Sequence, residues 1–277
     1  SFAGGARGIL YPRWRPLLDG PLFGAFGPYG MDGSRTDRSE AASEMAMWAN
    51  DERQAGLMQS VPIRGQVGIV VARESQLFSY LLSQQGDYDS YADAMNGVYR
   101  GFFDNNIQAD WVLIDHIAEY DVLYLPYPIM LTRETADRLS EWVERGGFLI
   151  SEGCPGYFGD RGTVGVVQPN HTLDQLFGCL QSSVSFMPDI SDDLHFTLDG
   201  SRIRGGLYRQ AYTPTSGTVI GTYEDGTAAA VESTYGKGRT ILIGTYPGYG
   251  YQSAEEETNR CFFGKLFSRT GREAVAT

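Results

Sequence analysis

Short apolar runs alternate with amphipathic segments through the middle of the chain. Residues 66–72 (QVGIVVA), 109–115 (ADWVLID), 120–127 (YDVLYLPY) and 148–153 (FLISEG) are typical of strands that are covered on both faces. Helical patterns separate them. Strands that alternate with helices indicate a parallel sheet with helices on both faces, and the right-handed crossover rule makes this a doubly wound sheet of flavodoxin-like type.

The intervening segments carry apolar residues at helical spacing. Residues 132–147 (TRETADRLSEWVERGG) predict a clean amphipathic helix that ends at Gly146-Gly147. Two further helices are predicted between the first two strands. The helix over residues 132–147 has the apolar positions Ala136, Leu139, Trp142 and Val143. The apolar positions of the two earlier helices are Leu77, Phe78, Leu81 and Leu82 in one and Tyr91, Ala94, Met95, Val98, Tyr99 and Phe102 in the other.

The hydrophobic period falls to two from about Leu180 to Tyr246, which predicts short strands joined by tight turns such as Asp225-Gly226. A last helix is predicted from Ser253, with Phe262, Phe263, Leu266 and Phe267 buried and Gly271 at its end. The pattern indicates one α/β domain with a β-rich C-terminal part and an N-terminal appendage.

The appendage begins with Gly8-Ile9-Leu10-Tyr11, which has the pattern of a buried strand. A helix is then predicted from Asp37 to Leu57, with Asp37 and Glu40 as a capping box. Ala41, Met45, Trp48 and Ala49 form an apolar stripe along it.

Composition excludes several classes of partner. A net charge of −12 argues against nucleic acid, whose backbone requires basic surfaces. The longest apolar runs are far shorter than a membrane span, and no secretory signal pattern is present. Three cysteines without paired spacing and three scattered histidines predict neither a disulfide framework nor a metal site. We expect no cofactor and a cytoplasmic protein.

Cys154 is the candidate nucleophile. It follows the strand that ends at Glu152-Gly153, and a cysteine on a sharp turn after a strand is how thiol amidotransferases and hydrolases present their nucleophile. Such a cysteine needs a histidine base late in the chain, but no histidine follows His195, and Pro155 would break a helix that began there. A structural thiol beneath a loop is therefore favoured over a catalytic one.

Other candidate sites are weaker. Glu152, Asp160, Glu224 and Asp225 have no spacing that would pair them as glycosidase carboxylates, which favours solvated loop positions. The glycine-rich residues 156–165 lack the Lys-Ser/Thr of a phosphate-binding loop.

Trp14 lies between Arg13 and Arg15. An aromatic ring flanked by guanidinium groups suits stacking on a sugar and hydrogen bonding to its hydroxyls. Packing of the Trp14 ring against the following helix is an equal alternative. A carbohydrate-binding module that used Trp14 with the tyrosines of residues 245–252 (TYPGYGYQ), namely Tyr246, Tyr249 and Tyr251, is a further possibility.

Four segments in order resemble the later part of glycoside hydrolase family 42, the trimeric β-galactosidases. They are residues 8–27 (GILYPRWRPLLDGPLFGAFG), 31–45 (MDGSRTDRSEAASEM), 120–153 and 236–246 (GKGRTILIGTY). In that family a (β/α)8 barrel is followed by an amidotransferase-like α/β domain that makes the trimer contacts and has lost amidotransferase chemistry.

The resemblance implies three parts. Residues 1–34 would be the C-terminal remnant of the barrel, residues 35–62 the connecting helix, and residues 63–277 the amidotransferase-like oligomerisation domain. Both catalytic glutamates would lie in the barrel strands that precede this remnant, so we expect no catalytic residue in the chain itself. The expected partners are further copies in a homotrimer and the catalytic barrel, in cis or in trans, with carbohydrate bound by the parent enzyme.

The resemblance also bears on the sugar. Trp14 and Arg15 match a Trp-Arg pair near the galactoside. The family has a Glu and a His after that pair, whereas this chain has Leu22 and Ala25, which puts galactose specificity in doubt. The rival hypotheses are a stand-alone carbohydrate-binding module and a cysteine hydrolase or amidotransferase that uses Cys154 with Glu152.

Overall fold

The computed structural model describes residues 5–20, 27–84, 86, 89–186 and 194–274. The chain divides into two compact units, Ser1–Ile63 and Arg64–Thr277. Each unit is described by itself.

The first unit is helical in its second half. Helix α1 spans Asp37–Ala49, a 3-10 turn spans Glu52–Gln54, and α2 spans Ala55–Gln59. The predicted single helix to Leu57 is wrong, because Asn50 ends α1 and the Asp51 side chain accepts a hydrogen bond from Arg53 N at 2.8 Å and starts a new turn.

The capping box of α1 lies one residue earlier than predicted. Thr36 has extended backbone and its side chain accepts from Ser39 N at 3.3 Å, while Thr36 N donates to the Ser39 hydroxyl at 2.9 Å. Asp37 and Glu40 instead place two acidic side chains in the first turn, where their negative charge is stabilised by the positive end of the helix dipole.

Residues 8–11 do not form the predicted buried strand. Ile9, Leu10 and Tyr11 are exposed, Leu10 by 91 %. No β-strand lies in the parts of this unit that the structure describes, and within those parts the segment has no strand to pair its backbone groups. Met45 and Trp48 of the predicted apolar stripe are exposed as well.

The described part of the second unit is built on a mixed sheet of eleven strands. In chain order the strands are β1 Val67–Val71, β2 Ala109–Leu113, β3 Val122–Leu125, β4 Phe148–Ser151, β5 Cys179–Phe186, β6 His195–Leu198, β7 Ser201–Arg204, β8 Tyr208–Pro214, β9 Thr218–Thr222, β10 Ala228–Tyr235 and β11 Gly238–Ile243.

The sheet has a parallel part and an antiparallel part. Strands β2-β1-β3-β4-β11 are neighbours in that order and all pair in parallel. From β11 the sheet continues through β10, β9, β6 and β7 in antiparallel pairs, and β8 joins β10 to β5. The last parallel strand therefore comes from the end of the β-rich segment, where the sequence pattern had changed to period two.

The helices of this unit lie between the parallel strands and at the C-terminus. They are α3 Arg73–Ser83, α4 Ser90–Phe103, α5 Arg133–Glu144, α6 Leu173–Phe177, α7 Pro247–Ala254 and α8 Glu257–Ser268, with a 3-10 segment at Ile114–Glu119.

Two apolar clusters form the core. Because side chains alternate along a strand, Ile69 and Val70 of β1 enter different clusters. One cluster contains Phe102 of α4 and Phe263 of α8. The other contains the inward residues predicted for α5, which are Ala136, Leu139, Trp142 and Val143. The α/β class is confirmed.

The C-terminal helix is two helices rather than the predicted one from Ser253. Glu255 has a left-handed backbone (φ +52°) that ends α7, and α8 begins two residues later. The predicted buried residues of α8 are confirmed: Phe262, Phe263, Leu266 and Phe267.

Candidate functional site

The turn after β4 lies at the carboxyl edge of the parallel strands, where open α/β sheets collect ligands. Glu152 N donates to Leu125 O at 3.1 Å, and Gly153 N donates to Thr245 O at 3.2 Å. A Cβ on Gly153 would lie 2.9 Å from the Gly244 carbonyl carbon. The next residue, Cys154, has a left-handed backbone with φ +57°. The predicted sharp turn is therefore present.

Glu152 is fully buried, so its predicted place in a solvated loop is wrong. Its Oε1 accepts from the Tyr124 hydroxyl at 3.2 Å and from Gly248 N at 2.8 Å, and its Oε2 accepts from Tyr127 N at 3.0 Å. Burial raises the pKa of Glu152 to about 8, and the three hydrogen bonds oppose this rise because they favour the charged form. The carboxyl group joins β4 to the first turn of α7.

The Cys154 thiol is also fully buried. Burial raises its pKa to about 12, so the thiol is protonated at neutral pH. A nucleophilic cysteine requires the opposite, a thiolate with a lowered pKa in an accessible, electropositive place.

Gln210 of β8 holds the backbone of this turn. Its Oε1 accepts from Cys154 N at 2.7 Å and from the Tyr212 hydroxyl at 2.6 Å. Its Nε2 donates to Gln181 Oε1 at 2.7 Å. Gln210 is fully buried, and all of its amide atoms are used in tying the turn to β8 and β5.

The three histidines have other neighbours. The His171 ring lies 3.4 Å from the Cβ position of Gly156, and its Nε2 is 3.1 Å from Leu131 O. His116 Nδ1 is 3.3 Å from Glu119 Oε1, and His195 Nε2 is 3.8 Å from Glu256 Oε2. Cys154 therefore has a thiol that is protonated at neutral pH.

The tyrosine-rich segment is a helix start rather than a loop. Tyr246 and Tyr251 are buried, and α7 runs between Pro247 and Ala254. The Tyr246 ring packs 5.0 Å from the Tyr127 ring, between centroids. Tyr251 donates to Asp104 Oδ2 at 2.5 Å. Both rings belong to the core.

Trp14 and Arg15 lie in the first unit. The Trp14 side chain is 58 % exposed, and its ring centroid is 5.1 Å from that of Tyr29. Arg15 Nη1 donates to Met31 O at 3.2 Å. Arg13, before them, has a left-handed backbone with φ +76°. Leu22 and Ala25 lie outside the described residues.

The remaining acids fit a solvated role. Asp160, Glu224 and Asp225 are exposed. Within the described ranges, no three His, Cys, Asp or Glu side chains are arranged to hold a metal ion. Every helix in those ranges is too short or too polar to cross a bilayer.

Sequence reasoning missed Gln210 and the burial of Glu152. Gln210 lies in β8, where it is buried together with its neighbours Ala211 and Tyr212, whereas an alternating pattern places a polar residue on the outer face. The partners of Glu152 come from separate parts of the chain, and the donor at Gly248 is 96 residues away. No local signal marks either side chain.

Comparison with known proteins identifies the domain. The family model of the β-galactosidase trimerisation domain matches residues 65–275, which is nearly the whole second unit. β-Galactosidase BgaB of Geobacillus sp. (strain Y412MC61) is 23 % identical over 257 residues, which cover 91 % of this chain and 38 % of BgaB.

Solved structures show the same fold. A catalytic mutant of Gan42B, a GH42 β-galactosidase from G. stearothermophilus, superposes with a TM-score of 0.81 at 21 % identity and covers 99 % of this chain and 40 % of that one. The β-galactosidase from Bacillus circulans sp. alkalophilus gives a TM-score of 0.78 at 14 % identity, covering 95 % and 39 %.

These matches confirm the resemblance to glycoside hydrolase family 42, although the chain spans only about two fifths of the length of these β-galactosidases. The family model that matches most of the chain is that of a trimerisation domain. The chain belongs to the β-galactosidase trimerisation domain family of glycoside hydrolase family 42.

Proposed function

We propose that this chain is the catalytically silent oligomerisation part of a β-galactosidase-like glycoside hydrolase and that its copies form a homotrimer. The observation that carries this proposal is the match of the trimerisation family to residues 65–275, together with a unit that is compact over the same residues, Arg64–Thr277. A C3 trimer is a closed assembly in which each copy uses two different surfaces.

The proposal includes a domain assignment. Residues 1–34 are the end of a (β/α)8 barrel, residues 35–62 the connecting helix and residues 63–277 the oligomerisation domain. The division of the chain at Ile63/Arg64 supports the second boundary. The exposure of residues 9–11 supports the assignment of the first part to a barrel, because a barrel strand has its partners on the neighbouring barrel strands.

The second unit is assigned to the flavodoxin-like, class I glutamine amidotransferase-like type of fold. The parallel order β2-β1-β3-β4-β11 supports it, since flavodoxin-like sheets have the order 2-1-3-4-5. The left-handed Cys154 after β4 agrees with a former nucleophile position. Its burial and raised pKa support the absence of amidotransferase chemistry.

The partners follow from the family. A catalytic barrel, in cis or in trans, supplies the carboxylates, and the parent enzyme acts on a carbohydrate. Neither nucleic acid nor membrane is among the partners, in keeping with the net charge of −12. A cytoplasmic location agrees with three free cysteines.

A second candidate role concerns Trp14 and Arg15. The exposed Trp14 ring beside a guanidinium group favours a contribution to a sugar site. Titration with galactose and related sugars, followed by Trp fluorescence and compared with Trp14→Ala, tests it. We expect a fluorescence change on sugar binding in the unmutated chain and none in the variant. Identical changes in both would exclude Trp14 from the sugar site.

Light scattering coupled to size exclusion tests the main proposal. At tens of micromolar chain we expect three times the mass of 30.5 kDa and no hydrolysis of a chromogenic β-galactoside. A monomer at that concentration would contradict a self-sufficient trimer interface. Hydrolysis by the chain alone would contradict catalytic silence.

A further inference from the structure

Helix α3 has a largely reversed orientation: it buries two serines and exposes most of its apolar side chains, although Phe78 packs against the core. Its two buried side chains are Ser75 and Ser79. Leu77, Tyr80 and Leu81 are exposed by 57 %, 59 % and 58 %. A surface helix of a folded domain normally turns its apolar stripe to the core and its polar residues to water.

The buried serines fix this orientation. The Ser75 hydroxyl donates to Met130 O at 2.7 Å and accepts from Met130 N at 3.0 Å. The Ser79 hydroxyl accepts from Tyr91 N at 3.3 Å. Each hydroxyl has a backbone partner, and turning the leucines inward would break these bonds in a buried place.

Helix α5 shows the ordinary arrangement in the same unit. Its buried residues include Leu139, Trp142 and Val143, and Glu141 and Arg145 form an exposed ion pair at 3.1 Å. The reversed orientation of α3 is therefore a property of that helix and not of the whole domain.

The exposed apolar side chains of α3 form one ridge. Leu77, Tyr80 and Leu81 stand at positions i, i+3 and i+4, which are neighbours on a helix surface. Leu82, beside them, is exposed by 41 %. Residues 75–84 include no charged side chain, so covering the ridge removes apolar area from water without burying a charge.

We propose that this ridge on α3 (Leu77, Tyr80 and Leu81) is one of the two surfaces through which copies of this chain associate. The inference rests on the proposed trimer. The ridge lies within residues 65–275, the part that matches the trimerisation family. Copies that each carry −12 charges repel one another, which favours contact through an uncharged surface, and interface cores are depleted in charge and rich in Tyr.

The test compares oligomeric state in the full chain. Leu77→Glu/Leu81→Glu puts two charges on the ridge, and we expect a monomer at tens of micromolar where the parent chain is a trimer. Leu77→Ala/Leu81→Ala keeps a good helix former at both positions and is expected to weaken association by roughly a hundred-fold. Circular dichroism checks that both variants are folded.

Arg145→Glu is the matched control, because it changes the net charge by the same two units on α5 and removes no apolar side chain. We expect it to remain trimeric. If both ridge variants form trimers with the affinity of the unmutated chain, the role of α3 is overturned and the proposed function stands. The ridge would then be covered by another part of the full-length enzyme. A monomeric parent chain would overturn the proposed trimer itself.

Discussion

The Gln210 side-chain oxygen accepts a hydrogen bond from the Cys154 backbone N–H at 2.7 Å. This bond joins two residues 56 positions apart in sequence and fixes the turn at the carboxyl end of β4. The turn has the shape that presents a nucleophile in related folds, but here its backbone donor is occupied by a side chain of the protein itself.

Replacement of Gln210 by Leu should destabilise the domain by about 2–3 kcal/mol, because it leaves the Cys154 N–H and the Tyr212 hydroxyl without an acceptor in a buried place. Urea unfolding followed by circular dichroism measures the change. Gln181→Ala is the control, since it removes only the partner of the Gln210 amide nitrogen at a half-buried position, and we expect a smaller loss. Equal losses would show that Cys154 N–H does not depend on Gln210.

The three cysteines should differ in reactivity. Cys261 is exposed, whereas Cys154 and Cys179 are buried, and burial raises the pKa of each buried thiol to about 12. We expect one fast thiol at pH 7 in the folded chain and three in denaturant, counted with a chromogenic disulfide reagent. Cys261→Ser should abolish the fast phase. A fast phase that persists in this variant would indicate an activated Cys154 and would support the hypothesis of a cysteine hydrolase or amidotransferase.

Glu152 should make stability depend on pH. Its pKa rises from 4.5 to about 8 on folding. At a pH between these two values Glu152 is therefore protonated in the folded state and ionised in the unfolded state. The free energy of unfolding therefore falls as pH rises from about 5 to about 8, by at most ~1.4 kcal/mol per pH unit, and levels off above.

The variant Glu152→Gln should remove that pH dependence. It should also be less stable than the parent at pH 5, because its amide nitrogen meets the Tyr127 N–H or the Gly248 N–H, both donors. The exposed Glu224→Gln serves as control and should keep the parent profile. A parent profile that is flat between pH 5 and pH 8 would show that the three donors hold Glu152 ionised.

Gly97 of α4 allows close contact with α7. A Cβ at this position would lie 1.9 Å from Gly248 O, so Gly97→Ala should destabilise the second unit by about 1–3 kcal/mol through overpacking. Gly56→Ala is the control, because nothing lies within 4 Å of its Cβ position and alanine favours the helix. Thermal unfolding separates the two, and a Gly97→Ala midpoint at or above that of the parent would contradict the close approach.

The sequence predicts β1 to β4 and α5 because each carries a local signal, a continuous apolar run for the strands and a helical stripe for α5. The stripe at Ala136, Leu139, Trp142 and Val143 is buried as expected. Helix α3 has an equally clear apolar stripe, yet its orientation is decided by a contact between Ser75 and Met130, 55 residues apart. Local periodicity therefore locates the helix but does not say which face is buried.

The position of the candidate site was predictable from the sequence, but the burial and hydrogen bonding of its side chains were not. A turn with Cys154 after a buried strand follows from the pattern of residues 148–154. The burial of Glu152 depends on the start of α7, and the hydrogen bond to Cys154 N depends on β8. Both require the pairing of strands that are distant in sequence, which a period alone does not give.

The position of β11 in the sheet has a consequence for synthesis on the ribosome. β4 is complete at Ser151, but its second neighbour, β11, ends at Ile243. While residues 152–237 are being translated, the edge of β4 that later pairs with β11 lacks this strand. Long-range parallel pairing is also slow to form. Cotranslational folding of the second unit must wait for β11, the last strand that the structure describes, so this domain acquires its native state late, when most of it has left the exit tunnel.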